Sequence, residues 1–226
     1  MVEGGRILSE KGRSRFNIVL LVLVVCIIFI APLLPAKYHK PIYNTVFTFI
    51  FFSAAFSMEK HRKLIVIMAF VTTVTEWISY SLERQLLLEI SRLVMFFFFI
   101  MIVLGLIIQI AKTRKVTGRV IIESINGYLL LGLLFSLIVG IIALRAPESF
   151  SAKMGSPEFI ETNYHMSQYI YYTFTTFTTL GYGDIVPLAP YAKSLAILMA
   201  VSGQIYLTVI IAMLVGKFLA YSKETA

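Results

Sequence analysis

Six long apolar stretches constrain this chain before any single residue does. Between clusters of charge run Phe16–Ala36, Pro41–Met58, Leu64–Leu82, Leu93–Ala111, Ser124–Leu144 and Ser194–Gly216. A helix needs about 20 mainly apolar residues to cross a bilayer, so each is read as a membrane span. The third qualifies only with Glu76 inside it. The first is longer than the apolar core of a signal peptide and is kept as a helix. Only 14% of residues are charged, against roughly 25% in a soluble domain. The expected class is an all-α, multi-pass membrane protein. The net charge of +8 does not call for nucleic acid, because cytoplasmic loops of membrane proteins collect Lys and Arg. One thiol, Cys26, excludes an intrachain disulfide, and three scattered histidines form no metal-ligand pattern. No catalytic constellation stands out, so an enzyme is not expected and no cofactor is implied.

Orientation follows from the basic residues. With the N-terminus inside, the inner segments hold Arg6, Lys11, Arg13, Arg15, Lys60, Arg62, Lys63, Lys112, Arg114, Lys115, Arg119, Lys217 and Lys223, the larger share of the 20 Lys and Arg. Both termini are therefore expected in the cytoplasm, with the protein in the cell membrane.

The stretch from Thr162 to Gly183 carries no acidic or basic charge and contains TFTTFTTLGYG, with Asp184 directly after it. A seventh span would move the Lys217 and Lys223 tail outside and put the poor helix formers of TLGYG in a helix. A re-entrant segment fits better. A short helix from about Ser167 to Phe177 enters from the outer face, and the chain returns extended through Thr179 to Gly183. Non-helical backbone at membrane depth is tolerated only inside protein or along a polar cavity, so this stretch is expected to line something polar.

Thr178-Thr179-Leu180-Gly181-Tyr182-Gly183-Asp184 resembles the selectivity filter of potassium channels, most often written TVGYG. Leu180 replaces the usual valine, at a side chain expected to point away from the pore. Pro187 and Gly203 also stand at spacings similar to those of that family's pore module. The resemblance covers roughly Ser124 to Ala220. It implies a passive, potassium-selective channel, a tetramer with a re-entrant pore helix, an extended filter and six transmembrane helices per subunit. The implied regions are a tail (1–15), a peripheral four-helix domain (16–111), an interfacial linker (112–123), a pore domain (124–220) and a second tail (221–226).

The chemistry stands beside the resemblance. A dehydrated cation needs oxygens in place of its lost water, and consecutive carbonyls supply them if all point to one axis. An extended strand alternates its carbonyls, so some residues must lie near left-handed φ/ψ, which glycine reaches at little cost. Gly181 and Gly183 suit that need. Carbonyls of Thr179, Leu180, Gly181 and Tyr182 would form successive K+ sites, with Gly183 closing the filter and the Thr179 hydroxyl at its inner mouth. Thr178 flanks the filter. Tyr171 and Tyr172 are candidates to brace the Tyr182 ring, and Asp184 is expected to hydrogen-bond Tyr171. Thr175 stands where some members of the family have a glutamate, so a Glu–Asp carboxyl pair is not available. One loop per chain implies a homotetramer around the filter axis.

In the last span, Gly203 is a candidate bend or a close-packing point. Leu207, Ile211 and Val215 share a face that could close the pore, and Gln204 faces either the cavity or the base of the re-entrant helix. The fourth span has no basic residue between Arg92 and Lys112, so the sensor chemistry of a voltage-gated channel is missing from a similar architecture. Glu76 is either a functional intramembrane acid or a side chain reaching the interface. The outer segment offers Glu148, Glu158 and Glu161 as cation attractors and His165 as a possible pH sensor. The few residues after Gly216 leave no room for a cytoplasmic ligand-binding domain, so gating is expected from the bilayer, pH, ions at the filter or a separate subunit. Two other classes compete with a channel: a subunit of a potassium-uptake transporter, and a non-conducting membrane sensor.

Overall fold

The computed structural model describes residues 2–58, 62–82, 85–113, 116–151 and 166–224. Glu158, Glu161 and His165 lie outside them. Among the described residues the fold is all-α: α1 (Val2–Val25), α2 (His39–Ser57), α3 (Arg62–Leu82), α4 (Gln85–Lys112), α5 (Gly118–Arg145), the short α6 (Met166–Phe177) and α7 (Pro190–Glu224).

Among the described residues, four helical stretches are long and apolar enough to cross a membrane: Gly12–Leu33, Glu89–Lys112, Gly118–Arg145 and Pro190–Ala220. The expectation of six is met in part. Helices α2 and α3 occupy the other two expected spans but are not among the four. Helix α2 mixes Lys40, Asn44, Thr45 and Thr48 into its apolar residues, and α3 carries Glu76.

Local sequence explains several helix ends. Helix α1 continues through a π-helical turn, Cys26–Ile30, into a short 3-10 turn, Ala31–Leu33. Pro32 sits in that turn. Its ring has no N–H and would crowd the carbonyl four residues earlier, so the helix widens before it. Helix α5 begins at Gly118, because Thr117 is extended (φ −121, ψ 163) and its carbonyl accepts the Val120 amide at 2.9 Å. Residues 118–123, expected in the interfacial linker, are thus the first turns of α5. Arg119 and Glu123 are among them. Pro190 opens α7, where a missing N–H costs nothing.

Helices α1 to α4 pack each against the next, and α1 and α4 both pack on α5. The seam of α2 and α4 is aromatic. Phe51 meets Phe98 and Phe99 edge-on, with ring centroids 5.2 and 6.0 Å apart. Such pairs add about 0.5–1.5 kcal/mol each. The Glu76 carboxylate accepts a hydrogen bond from Ser91 Oγ at 3.3 Å, so it turns into the α3–α4 seam.

A buried polar cluster joins α1, α2 and α5. Asn17, Ser57, Glu123 and Asn126 are all fully buried. Asn17 Nδ2 donates to Glu123 Oε1 at 2.9 Å, and Ser57 Oγ donates to Asn17 Oδ1. Asn126 Nδ2 donates to the Asn17 carbonyl at 2.9 Å. Arg119 Nε lies 3.5 Å from Glu123 Oε1. Asn17 is the hub, and an apolar residue there leaves a buried carboxylate and a hydroxyl short of partners, at about 1–3 kcal/mol each. Asn17→Leu is expected to lower the melting temperature of detergent-purified protein by at least about 2–4 °C, while Asn17→Asp, which places a second carboxylate against Glu123, lowers it further.

Candidate functional site

The site is built on α6, a helix too short to cross a bilayer. Helix α5 carries small residues at every fourth position, Gly132, Ser136 and Gly140. This spacing lets a neighbouring helix approach closely. A Cβ at Gly132 would lie 2.5 Å from the Phe174 ring, and one at Gly140 would lie 2.9 Å from the Tyr169 ring. Both aromatic residues belong to α6, so α5 holds α6 by two notches. A third notch is in α7. A Cβ on Gly203 would overlap the Phe177 carbonyl oxygen at the end of α6. Gly203 is buried in this contact, which assigns it a packing role in this structure.

Beyond Phe177 the backbone reverses its handedness at every second residue. Thr179 has φ 63°, Gly181 φ 56° and Gly183 φ 76°. The two glycines were expected there. Thr179 was not, since a β-branched residue at positive φ is a rare outlier. Strain of this kind is held only where the surroundings fix it, and here they do. The Thr178 amide donates to the Phe174 carbonyl at 3.0 Å, Thr179 to Thr176 at 3.0 Å and Gly181 to Thr175 at 2.9 Å. Thr178 Oγ1 also donates to the Phe174 carbonyl, at 2.7 Å. The last carbonyls of α6, left over by the helix itself, thus bind the chain that follows.

At the far end of this segment, Tyr171 Oη donates to Asp184 Oδ2 at 2.7 Å, and Asp184 Oδ1 accepts the Ile185 amide at 3.0 Å. The chain that follows is tied to residues 149–151, just past the C-terminal end of α5. Phe150 pairs with Pro187 in an antiparallel bridge, the Ser151 amide donates to Val186 at 2.9 Å, and the Leu188 amide donates to Ser149 at 2.8 Å. Tyr172 does not stand beside Tyr171 at this rim. It is buried, in an edge contact with Phe150 at 5.2 Å, because neighbours on a helix point about 100° apart. Thr175 turns its hydroxyl to the Tyr172 carbonyl at 3.0 Å.

The remaining candidates lie on α7. Gln204, Ile211 and Val215 are exposed and Leu207 is half-buried. The opposite face, with Met199, Tyr206 and Ile210, is buried. Tyr206 was missed from sequence. Its hydroxyl donates to the Ser124 carbonyl at 2.9 Å and fills the space above Gly127, pinning α7 to α5. The Gly132–Ser136–Gly140 row was also missed, although its four-residue spacing was readable.

Residues 127–220 match a protein-family model described as "Ion channel". Over these residues, less than half of the chain, the sequence is similar to ion-channel pore domains. The match begins inside α5, takes in α6 and the strained segment, and ends near the close of α7. No curated protein matches the chain, and no solved structure does.

The contact at Gly203 has a direct test. Gly203→Ala must push the end of α6 away and is expected to destabilise the purified protein by about 1–3 kcal/mol, as overpacking does. Gly216→Ala, where nothing lies within 4 Å of the added Cβ, is expected to be neutral or to stabilise by up to about 1 kcal/mol. Melting curves of the two variants side by side check the difference.

Proposed function

We propose that the protein is a potassium-selective channel. The observation that carries this is the alternation of backbone handedness at Thr179, Gly181 and Gly183 within TLGYG. Reversing φ at every second residue turns successive carbonyls of an extended chain to the same side. Carbonyls of Thr179, Leu180, Gly181 and Tyr182 then form a ladder of oxygens that replaces the hydration shell of K+. Gly183 ends the ladder, with Asp184 and Tyr171 bracing it from behind. The C-terminal end of α6 carries partial negative charge and favours a cation below the ladder.

One strand of carbonyls cannot surround an ion, so the reading requires a ring, and we infer a homotetramer with cyclic symmetry. The exposure of Leu180 (55%) and Tyr182 (69%) in the single chain supports neighbours on both sides of this segment. The tetramer would place Gln204, Ile211 and Val215 toward the axis or the adjoining subunit. Helices α2 and α3 complete six spans, with both termini in the cytoplasm.

The decisive measurement is flux in liposomes. Potassium is expected to pass far faster than sodium, and equal rates would overturn the proposal. Gly181→Ala is expected to abolish flux with membrane insertion intact. A Cβ there meets no atom of the single chain within 4 Å, so within one chain its cost of about 1–2 kcal/mol is conformational.

Helix α4 sets the voltage response. A conventional sensor moves about 3–4 charges per subunit, and α4 has no basic residue between Arg92 and Lys112. The conductance is expected to vary only weakly over about ±100 mV in symmetrical potassium. A steep, saturating curve would show that α1 to α4 move charge after all.

A further inference from the structure

The C-terminus of α4 is capped by a residue of α7. The last four carbonyls of a helix lack intrahelical partners and carry partial negative charge. In α4, Thr113 meets part of this need, its hydroxyl and amide both donating to the Gln109 carbonyl, at 2.9 and 3.2 Å. Lys217 meets two of the others. Its ammonium donates to the Ile110 carbonyl at 2.8 Å and to the Ala111 carbonyl at 2.8 Å. The partner of these carbonyls thus lies more than 100 positions away in the chain. Below it, Ile110, Val120, Tyr206 and Ile210 form a small buried cluster of their own, with Met213 and Leu214 against it. The cytoplasmic end of α7 is therefore bound to the end of α4 by a cation and by an apolar contact.

Helix α7 runs unbroken from Pro190 to Glu224 through Gly203. Lys217 lies about 21 Å along the helix from Gly203, at 1.5 Å per residue. A bend of about 20° at Gly203, the size of an ordinary kink, carries position 217 sideways by about 7 Å. Two 2.8 Å hydrogen bonds do not survive such a displacement unless α4 follows.

We propose that Lys217 is a latch, tying the unbent state of α7 to the C-terminus of α4. The latch makes the position of α4 a determinant of whether the lower half of α7 swings. It gives the four peripheral helices a mechanical link to the pore that needs no charge in α4. Its effect on flux rests on the channel reading, whereas the contact itself does not.

The test compares Lys217→Met, which keeps the apolar stem and removes the cation, with Lys217→Arg, which keeps the cation. Two readouts are taken on each. The first is potassium flux or open probability. Charge-assisted hydrogen bonds are among the stronger ones, and the expected result is a rise of about tenfold in Lys217→Met, with Lys217→Arg within about twofold of the parent. The second is the distance between spin labels at Ile108→Cys and Leu219→Cys in a Cys26→Ser background, with labelled chains diluted among unlabelled ones. It is expected to lengthen and broaden in Lys217→Met alone. An unchanged label distance in Lys217→Met overturns the latch, as does a changed distance accompanied by unchanged flux in a conducting protein. A shifted distance with no flux in any variant, the parent included, upholds the latch and removes the channel reading instead.

Discussion

A backbone that runs extended at membrane depth has to give its N–H and C=O groups to something other than itself. Residues 178–183 meet this demand in one direction only. The amides of Thr178, Thr179 and Gly181 turn back to the carbonyls of Phe174, Thr176 and Thr175. Much of the structure serves that arrangement. Helix α6 has to stop at the right depth with its last carbonyls facing the returning chain. Helix α5 has to present Gly132 and Gly140 so that Phe174 and Tyr169 seat α6 at that depth. Helix α7 has to present Gly203 so that the end of α6 rests on backbone rather than on a side chain. The strain at Thr179 is the residue of these requirements, and the hydrogen bonds around it hold it in place.

Much of this was legible from residues alone. The apolar runs mark where helices lie, and the alternation of glycine in GYG marks where positive φ falls. What charges mark less well is where helices end. Helix α7 was expected over Ser194–Gly216 and extends from Pro190 to Glu224, because Lys193 and Lys217 are good helix formers whose heads reach polar surroundings from inside a helix. The same effect hid the start of α5, which follows the extended Thr117 rather than the loss of charge after Glu123.

Three features of the site were harder to read, each for a different reason. Thr179 looks like any threonine, and its positive φ is imposed by the carbonyls around it, not by its own preference. Tyr171 and Tyr172 look interchangeable as neighbours, but the helix sends one to the rim and the other beneath α6 against Phe150. The partner of Lys217 lies on α4, and no local pattern connects a lysine to the end of a helix so far back in the chain. Conformation set by neighbours in sequence was readable; conformation set by neighbours in space was not.

The segment from Thr178 to Ile185 hangs between two anchors in the same chain. Its lower end is moored through Phe177 to the backbone of α7 at Gly203. Its upper end is moored through Val186 and Leu188 to Ser149 and Ser151, just past the outer end of α5. It therefore behaves as a ribbon with two handles. One handle belongs to α7 at Gly203, and the other to residues 149–151 beyond the end of α5. The same few carbonyls are thus held through different atoms and from opposite ends.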